Sequence, residues 1–273
     1  IVLDPVLIFG LGPFPAMGVR GAAVATVLGQ AIAALAALAF NLCFNSATRF
    51  SLRAMLPDRA TLGGIYAVGL PSMITIGLAS ITSYCMNQLL LGFSTTAAAV
   101  YGIWIKMQSF GFMPVFGMNN GTIAIFGYNH GAKKYDRVHK TLRLAIVIGV
   151  IVTIAAALLY ELIPVPMLRL FNASEYMYSI GVTALRLCSL SLPFGALSIV
   201  LSSACQSLGS PGYTLIVNIC RQVAIQVPAA WLLSLTGRLG SMWLAPLIAE
   251  AATAVIAVVL TRRVMQRLDA EAV

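Results

Sequence analysis

The sequence predicts an all-α polytopic membrane protein. Of its 273 residues 60% are hydrophobic and only 9% are charged, and long uncharged stretches recur along the whole chain. A soluble domain carries roughly a quarter charged residues, and one helix crosses a hydrocarbon core with about 20 apolar residues. Lipid, not water, is the solvent this composition fits.

The elements follow in order. Residues 1–10 read as half a span, and residues 17–43 as one apolar stretch. A polar link holding Asn45, Arg49, Arg53, Asp58 and Arg59 leads to a second stretch, residues 62–93. Residues 96–126 are longer than one crossing requires and contain Pro114, which removes a helix hydrogen bond and favours a kink or tilt. The most basic loop comes next, with Lys133, Lys134, Arg137, Lys140 and Arg143. Residues 144–163, 176–205, 213–235 and 241–261 are further spans, and the tail carries Arg262, Arg263 and Arg267. With the half-span, the total is set at six whole transmembrane helices and one partial one.

Charge gives the orientation. The net charge of +9 has no base-stacking aromatics interleaved with its Lys and Arg, so it does not indicate nucleic acid. Alternating spans instead sort the basic loop residues into eleven on one side and three (Arg20, Arg169, Arg238) on the other. The positive-inside rule puts the richer side, and with it the C-terminus, in the cytoplasm. The five cysteines lie in apolar surroundings and form no CxxC pair or metal cluster. The chain opens on Ile-Val-Leu-Asp-Pro without Met or a basic leader, and looks truncated there. A repeat agrees: Gly18-Val-Arg-Gly21 and Gly237-Arg-Leu-Gly240 each enter a span and share an offset of 219 residues. Internal duplication is a building rule of transporters, and here it implies about twelve spans in the intact protein.

Residues 127–138, Gly-Tyr-Asn-His-Gly-Ala-Lys-Lys-Tyr-Asp-Arg-Val, resemble the loop GYNxGAKxxxRV of the multidrug and toxic compound extrusion (MATE) family. Gly69-Leu70-Pro71-Ser72, Leu3-Asp4-Pro5 with Phe9-Gly10, residues 18–26, and Gln206-Ser207-Leu208-Gly209 agree in family order. The resemblance implies a twelve-helix, two-lobe transporter. Residues 1–43 would end the N-lobe with part of helix five and helix six, 44–61 would be a cytoplasmic linker, 62–264 the C-lobe, and 265–273 a cytoplasmic tail. It implies an antiporter in a bacterial inner membrane, monomeric, exporting amphipathic and often cationic compounds in exchange for H+ or Na+. No organic cofactor is expected. A flippase for lipid-linked saccharides, from the same superfamily, is the alternative, and an enzyme has no supporting motif, since GxSxG, HExxH and GxxxxGKS are absent.

Candidate site residues come from charges and polar groups in the spans. Asp4 lies about 10 Å deep by helical rise, where a charge is costly unless paired or functional, and Thr26 comes to the same depth on the next helix. By resemblance these two belong to an N-lobe cation site, the one place where Na+ could bind; a helix cap before Pro5 is the plain alternative for Asp4. A C-lobe carboxylate site is not expected, because residues 62–93 hold no acid and residues 176–205 none beyond the edge. Lys106, with Tyr101, Trp104, Met107, Met113 and Gln88, is the expected substrate cavity, although packing among helices is the ordinary role for such residues. Lys106 and Arg186 are both expected to face the protein interior. Glu250, near mid-membrane on the last helix, requires a partner such as Arg221 or Arg186.

Overall fold

Every described element is helical, and several helices begin where the sequence supplies a capping side chain (Asp58, Ser94, Ser174) or a proline (Pro164, Pro193, Pro211, Pro228). The structure, a computed structural model, describes residues 3–11, 15–44, 58–171 and 174–271. It comprises two compact units, Ile1–Gly63 and Gly64–Val273. Of the polar link expected at 44–61, Asn45, Arg49 and Arg53 lie outside the described residues.

The first unit is built on a helical pair, α1 (Leu3–Phe9) and α2 (Gly18–Phe44). Gly10, in the left-handed conformation at φ 71°, ends α1. Gly21 then lets the helices touch, since a Cβ at that position would lie 2.4 Å from the Leu7 carbonyl oxygen. Helix α3 (Arg59–Leu91) starts on Asp58, whose carboxylate accepts hydrogen bonds from the backbone N–H and the hydroxyl of Thr61, both at 3.1 Å.

The second unit contains α3 from Gly64 onward, α4 (Thr95–Gly131), α5 (Tyr135–Leu162), the short α6 (Pro164–Arg169), α7 (Glu175–Ser189), α8 (Leu192–Ser207), α9 (Pro211–Ile219), α10 (Val227–Ser234), the short α11 (Leu239–Met242) and α12 (Ala245–Glu271). Seven residues of π-helix, Cys220–Gln226, join α9 to α10 within one span. Helix α8 is the centre of the unit and packs against α4, α5, α9 and α12. Its buried residues are mostly small: Gly195, Ala196, Ser198, Ser202, Ser203, Ala204 and Cys205. Small residues let backbones approach where lipid provides no hydrophobic drive between helices. Large aliphatic side chains such as Ile151, Leu158 and Val255 point outward instead, as a lipid-facing surface requires.

Five described helices are long and apolar enough to cross a membrane, and the bent pair α7 and α8, at 43°, makes six. These are six of the seven apolar stretches read from sequence, where the total is set at six; the seventh, residues 96–126, is α4. Helix α4, at 37 residues, is long enough as well. Lys106, Asn119, Asn120 and His130 make it more polar than the others, and counting it gives seven. It runs unbroken through Pro114. The bend falls instead at Leu190–Ser191, just before Pro193, where Ser191 Oγ donates to the Cys188 carbonyl at 2.6 Å.

The two glycines that open the sequence repeat behave alike. Gly18 and Gly237, 219 residues apart, both take positive φ, 54° and 67°, and each leads into a helix. At one end of the second unit, His139 in the first turns of α5 contacts Asp269 near the end of α12 at 2.8 Å. The basic loop and the arginine-rich tail therefore share that end.

Candidate functional site

The polar interior of the second unit is built around one ion pair. Glu250 on α12 is only 4% exposed, and its Oε1 accepts from Arg221 Nε at 2.8 Å and Nη2 at 2.7 Å. The other carboxylate oxygen, Oε2, is buried and has no hydrogen-bond partner among the described residues. Gly195 on α8 makes the space: a Cβ there would stand 3.2 Å from Glu250 Cδ and 2.5 Å from Phe112 Cζ. The guanidinium also lies over the Phe112 ring, 5.6 Å from its centroid, a cation–π contact that covers its other face.

The π-helix places Arg221. A proline at position 228 has no N–H to give to the carbonyl four residues back, and widening the preceding turns accommodates that loss. A π turn also presents carbonyls sideways, and one finds a partner on α3: Thr82 Oγ1 donates to Gln222 O at 2.9 Å, while reaching its own Leu78 O at 3.0 Å.

Two cavities adjoin Arg221. One, about 310 Å³, is lined by Tyr101, Gln108, Phe112, Phe116, Gln226 and the ion pair, among others. The second, about 430 Å³, shares Arg221, Gln222 and Phe116 and adds Asn119, Ser202, Ser203 and Asn218. Asn119 Nδ2 donates to Ser203 Oγ at 2.5 Å, but Asn119 Oδ1 and Ser202 Oγ are buried without partners among the described residues. Aromatic faces, amide groups and unfilled polar atoms are the surroundings that orient an amphipathic ligand.

The sequence candidates are distributed unevenly around this site. Tyr101 lines the smaller cavity. Trp104 and Met107 are buried in the helical core, where the Met107 carbonyl accepts from Tyr160 Oη at 2.8 Å. Gln88 and Met113 are exposed in this chain. Lys106 is exposed too, against the expectation that it faces the interior, and its Nζ lies 5.8 Å from the centroid of Phe171. Leu168 of α6 is fully buried, so the connection from α5 to α7 packs onto the bundle, with Phe171 beside Lys106. Arg186 departs from the same expectation. Its side chain is 53% exposed and lies 3.7 Å from Glu161 near the end of α5. Glu250 does take a partner, and of the two named from sequence it is Arg221.

In the first unit Asp4 stands half-buried in the first turn of α1. From the Leu7–Gly21 contact, Asp4 is three residues and Thr26 five residues further along the pair, about 4.5 and 7.5 Å by helical rise. They therefore lie at nearly one depth. Thr26 is exposed in this chain, and its hydroxyl donates to Ala22 O at 2.9 Å.

The polar lining, Gln108, Asn119, Gln222, Gln226 and the serines of α8, is what sequence reasoning missed. A signal existed. Gln108 stands seven residues after Tyr101, two helical turns, and so on its face. Among the described residues no group of His, Cys, Asp and Glu is arranged to hold a metal ion.

Known proteins place this architecture. The MatE family profile matches residues 71–232. The multidrug export protein MepA of Staphylococcus haemolyticus is 26% identical over 99% of this chain, and that of Staphylococcus aureus likewise. A crystal structure of a MATE transporter in complex with MaL6 superposes with a TM-score of 0.87 at 26% identity, over 98% of this chain. A MOP superfamily transporter from Pyrococcus furiosus, reported with a binding pocket of reverse polarity, gives the same values. The chain spans about 60% of the length of these relatives. The profile covers more than half of the chain, and the chain belongs to the MatE family of membrane transporters.

Proposed function

We propose that the protein is a secondary active antiporter that exports amphipathic, often cationic compounds in exchange for H+ or Na+. The observation that carries this reading is the interior of the second unit: aromatic rings and amides surround a buried but neutralised charge pair. Such a lining receives a flat organic cation without presenting a net charge against it. The flippase for lipid-linked saccharides stays the alternative; against it stands that, among the described residues lining these two cavities, the one arginine is paired with Glu250 and not free to meet a pyrophosphate. The transporter acts as a multi-pass monomer in the bacterial inner membrane, with the basic loop and C-terminus cytoplasmic.

Coupling belongs to Asp4, with Thr26 as a second oxygen at the same depth. A carboxylate within a span is compensated by a proton or a bound cation, and can exchange one for the other as access alternates. Asn at position 4 keeps shape and hydrogen bonding but cannot ionise. In the full-length transporter, Asp4→Asn should abolish gradient-driven efflux while substrate binding stays nearly intact; Thr26→Val should weaken coupling less, removing one ligand oxygen and no charge. Ethidium efflux and equilibrium binding, measured in parallel, decide it. Wild-type coupled efflux from Asp4→Asn assigns that residue to a structural cap.

A further inference from the structure

We infer that Glu250 is a second proton-binding site, in the second unit, and that its protonation converts the cavity at Arg221 from neutral to cationic and so expels a cationic ligand. This rests on the proposed export of cations and adds a residue that no family-type acid on the neighbouring spans supplies. Residues 62–93 hold no acid, and α12 delivers a carboxylate to the centre of the unit instead.

The geometry is a half-filled carboxylate. Oε1 takes both guanidinium contacts, at 2.8 and 2.7 Å. Oε2 takes none, and less than 1 Å² of it is exposed. A buried oxygen without a donor is the costly state for such a group, and a proton is the ligand small enough to reach it with Gly195 and Phe112 packed against the carboxylate. When a solvent proton binds, one O–H bond forms on Oε2. The hydronium that supplies the proton loses one O–H bond and leaves as water, and the pair Glu250 and Arg221 passes from net zero to net +1. From the span of α9 and α10 the charged group facing Glu250 is Arg221, and from α4 the titratable one is Tyr101; α3 and α8 present Thr82, Ser83 and Gly195 there, which do not titrate. The uncovered positive charge stays beside Phe116 and Gln222, which line both cavities. Proton and cationic ligand thus oppose each other's binding, and by linkage each weakens the other by the same factor.

The test is binding of ethidium, whose charge does not change with pH, to the purified full-length transporter, followed by fluorescence anisotropy across pH. It is done in an Asp4→Asn background so that the other candidate acid contributes nothing. With Glu250 intact, affinity should fall as pH falls. Glu250→Gln fixes the +1 state, so affinity should be flat with pH and roughly tenfold or more below that of the intact site at high pH, the scale of one added charge a few ångströms away at an effective dielectric near 20. Glu250→Gln with Arg221→Gln restores net zero, and affinity should recover and stay flat with pH. A purely structural pair would not give that recovery. Infrared difference spectra provide a readout independent of ligand: acidification should produce a protonated-carboxyl stretch that Glu250→Gln removes. If ethidium binds no variant, the export reading fails and the infrared band alone decides the proton site. Unchanged pH dependence in Glu250→Gln, or a carboxyl band that survives it, overturns the inference.

Discussion

Glu250 and Arg221 show what a single buried contact demands of its neighbours. A carboxylate and a guanidinium inside a membrane protein are tolerable as a pair, and removing one leaves an uncompensated charge that costs about 3–5 kcal/mol. Arg221→Met should therefore lower thermal stability in detergent by that order, whereas Arg221→Met combined with Glu250→Leu should recover most of the loss. If the double variant is no more stable than the single, the pair is not the local determinant of stability. The need for a partner was legible in the sequence, because an acid in the middle of an apolar stretch must be answered. Which of two arginines answered was not, since α9 to α12 fold through a π-helix that no local composition marks. Lys106 and Arg186 are exposed in this chain, and depth counted along a helix does not decide which face of it a residue takes.

At the scale of the element, irregular helices do the positioning. Pro193 accompanies the bend between α7 and α8, and Pro228 follows the π-helix, while Pro114 leaves α4 continuous. A proline in a span is legible at once, but its outcome depends on what can take up the freed carbonyl. One π-helix carbonyl has such a side-chain partner: Thr82 donates to that of Gln222, two residues before the Ala224 carbonyl that Pro228 leaves without its helical donor. Thr82→Val keeps the shape and removes one hydroxyl donor to the Gln222 carbonyl, so it should cost roughly 0.5–1.5 kcal/mol; Thr82→Ser should cost much less. Thermal unfolding of the two variants checks this, and equal losses would show that the methyl packing, not the hydroxyl, matters. The most specific string in the sequence, residues 127–138, makes a turn: Lys133 takes φ 55°, and the Asn129 carbonyl accepts from Lys134 N at 2.9 Å. Its chemistry is that of a helix end, which explains a recognisable motif without a binding role.

For the whole molecule, charge distribution and repeat were the legible features. Eleven basic residues on one side against three on the other agree with the contact of His139 to Asp269, which brings the basic loop and the tail to one end. Cysteines placed in the loop near Lys133 and at Ser94, in a background lacking the native five, should give impermeant-reagent labelling at Ser94 alone in intact cells. The reverse pattern would invert the topology. The polar cavities were not legible, because Gln, Asn and Ser scattered over four helices acquire a common purpose only when those helices converge on α8. Alternating access needs two lobes rocking about a central site, and the chain spans about 60% of its relatives. Ethidium efflux from proteoliposomes under imposed pH or Na+ gradients therefore bears most directly on cation-coupled export: the full-length transporter should drive efflux only while a gradient is present, and efflux that persists after both gradients are collapsed, or none with either, would contradict it.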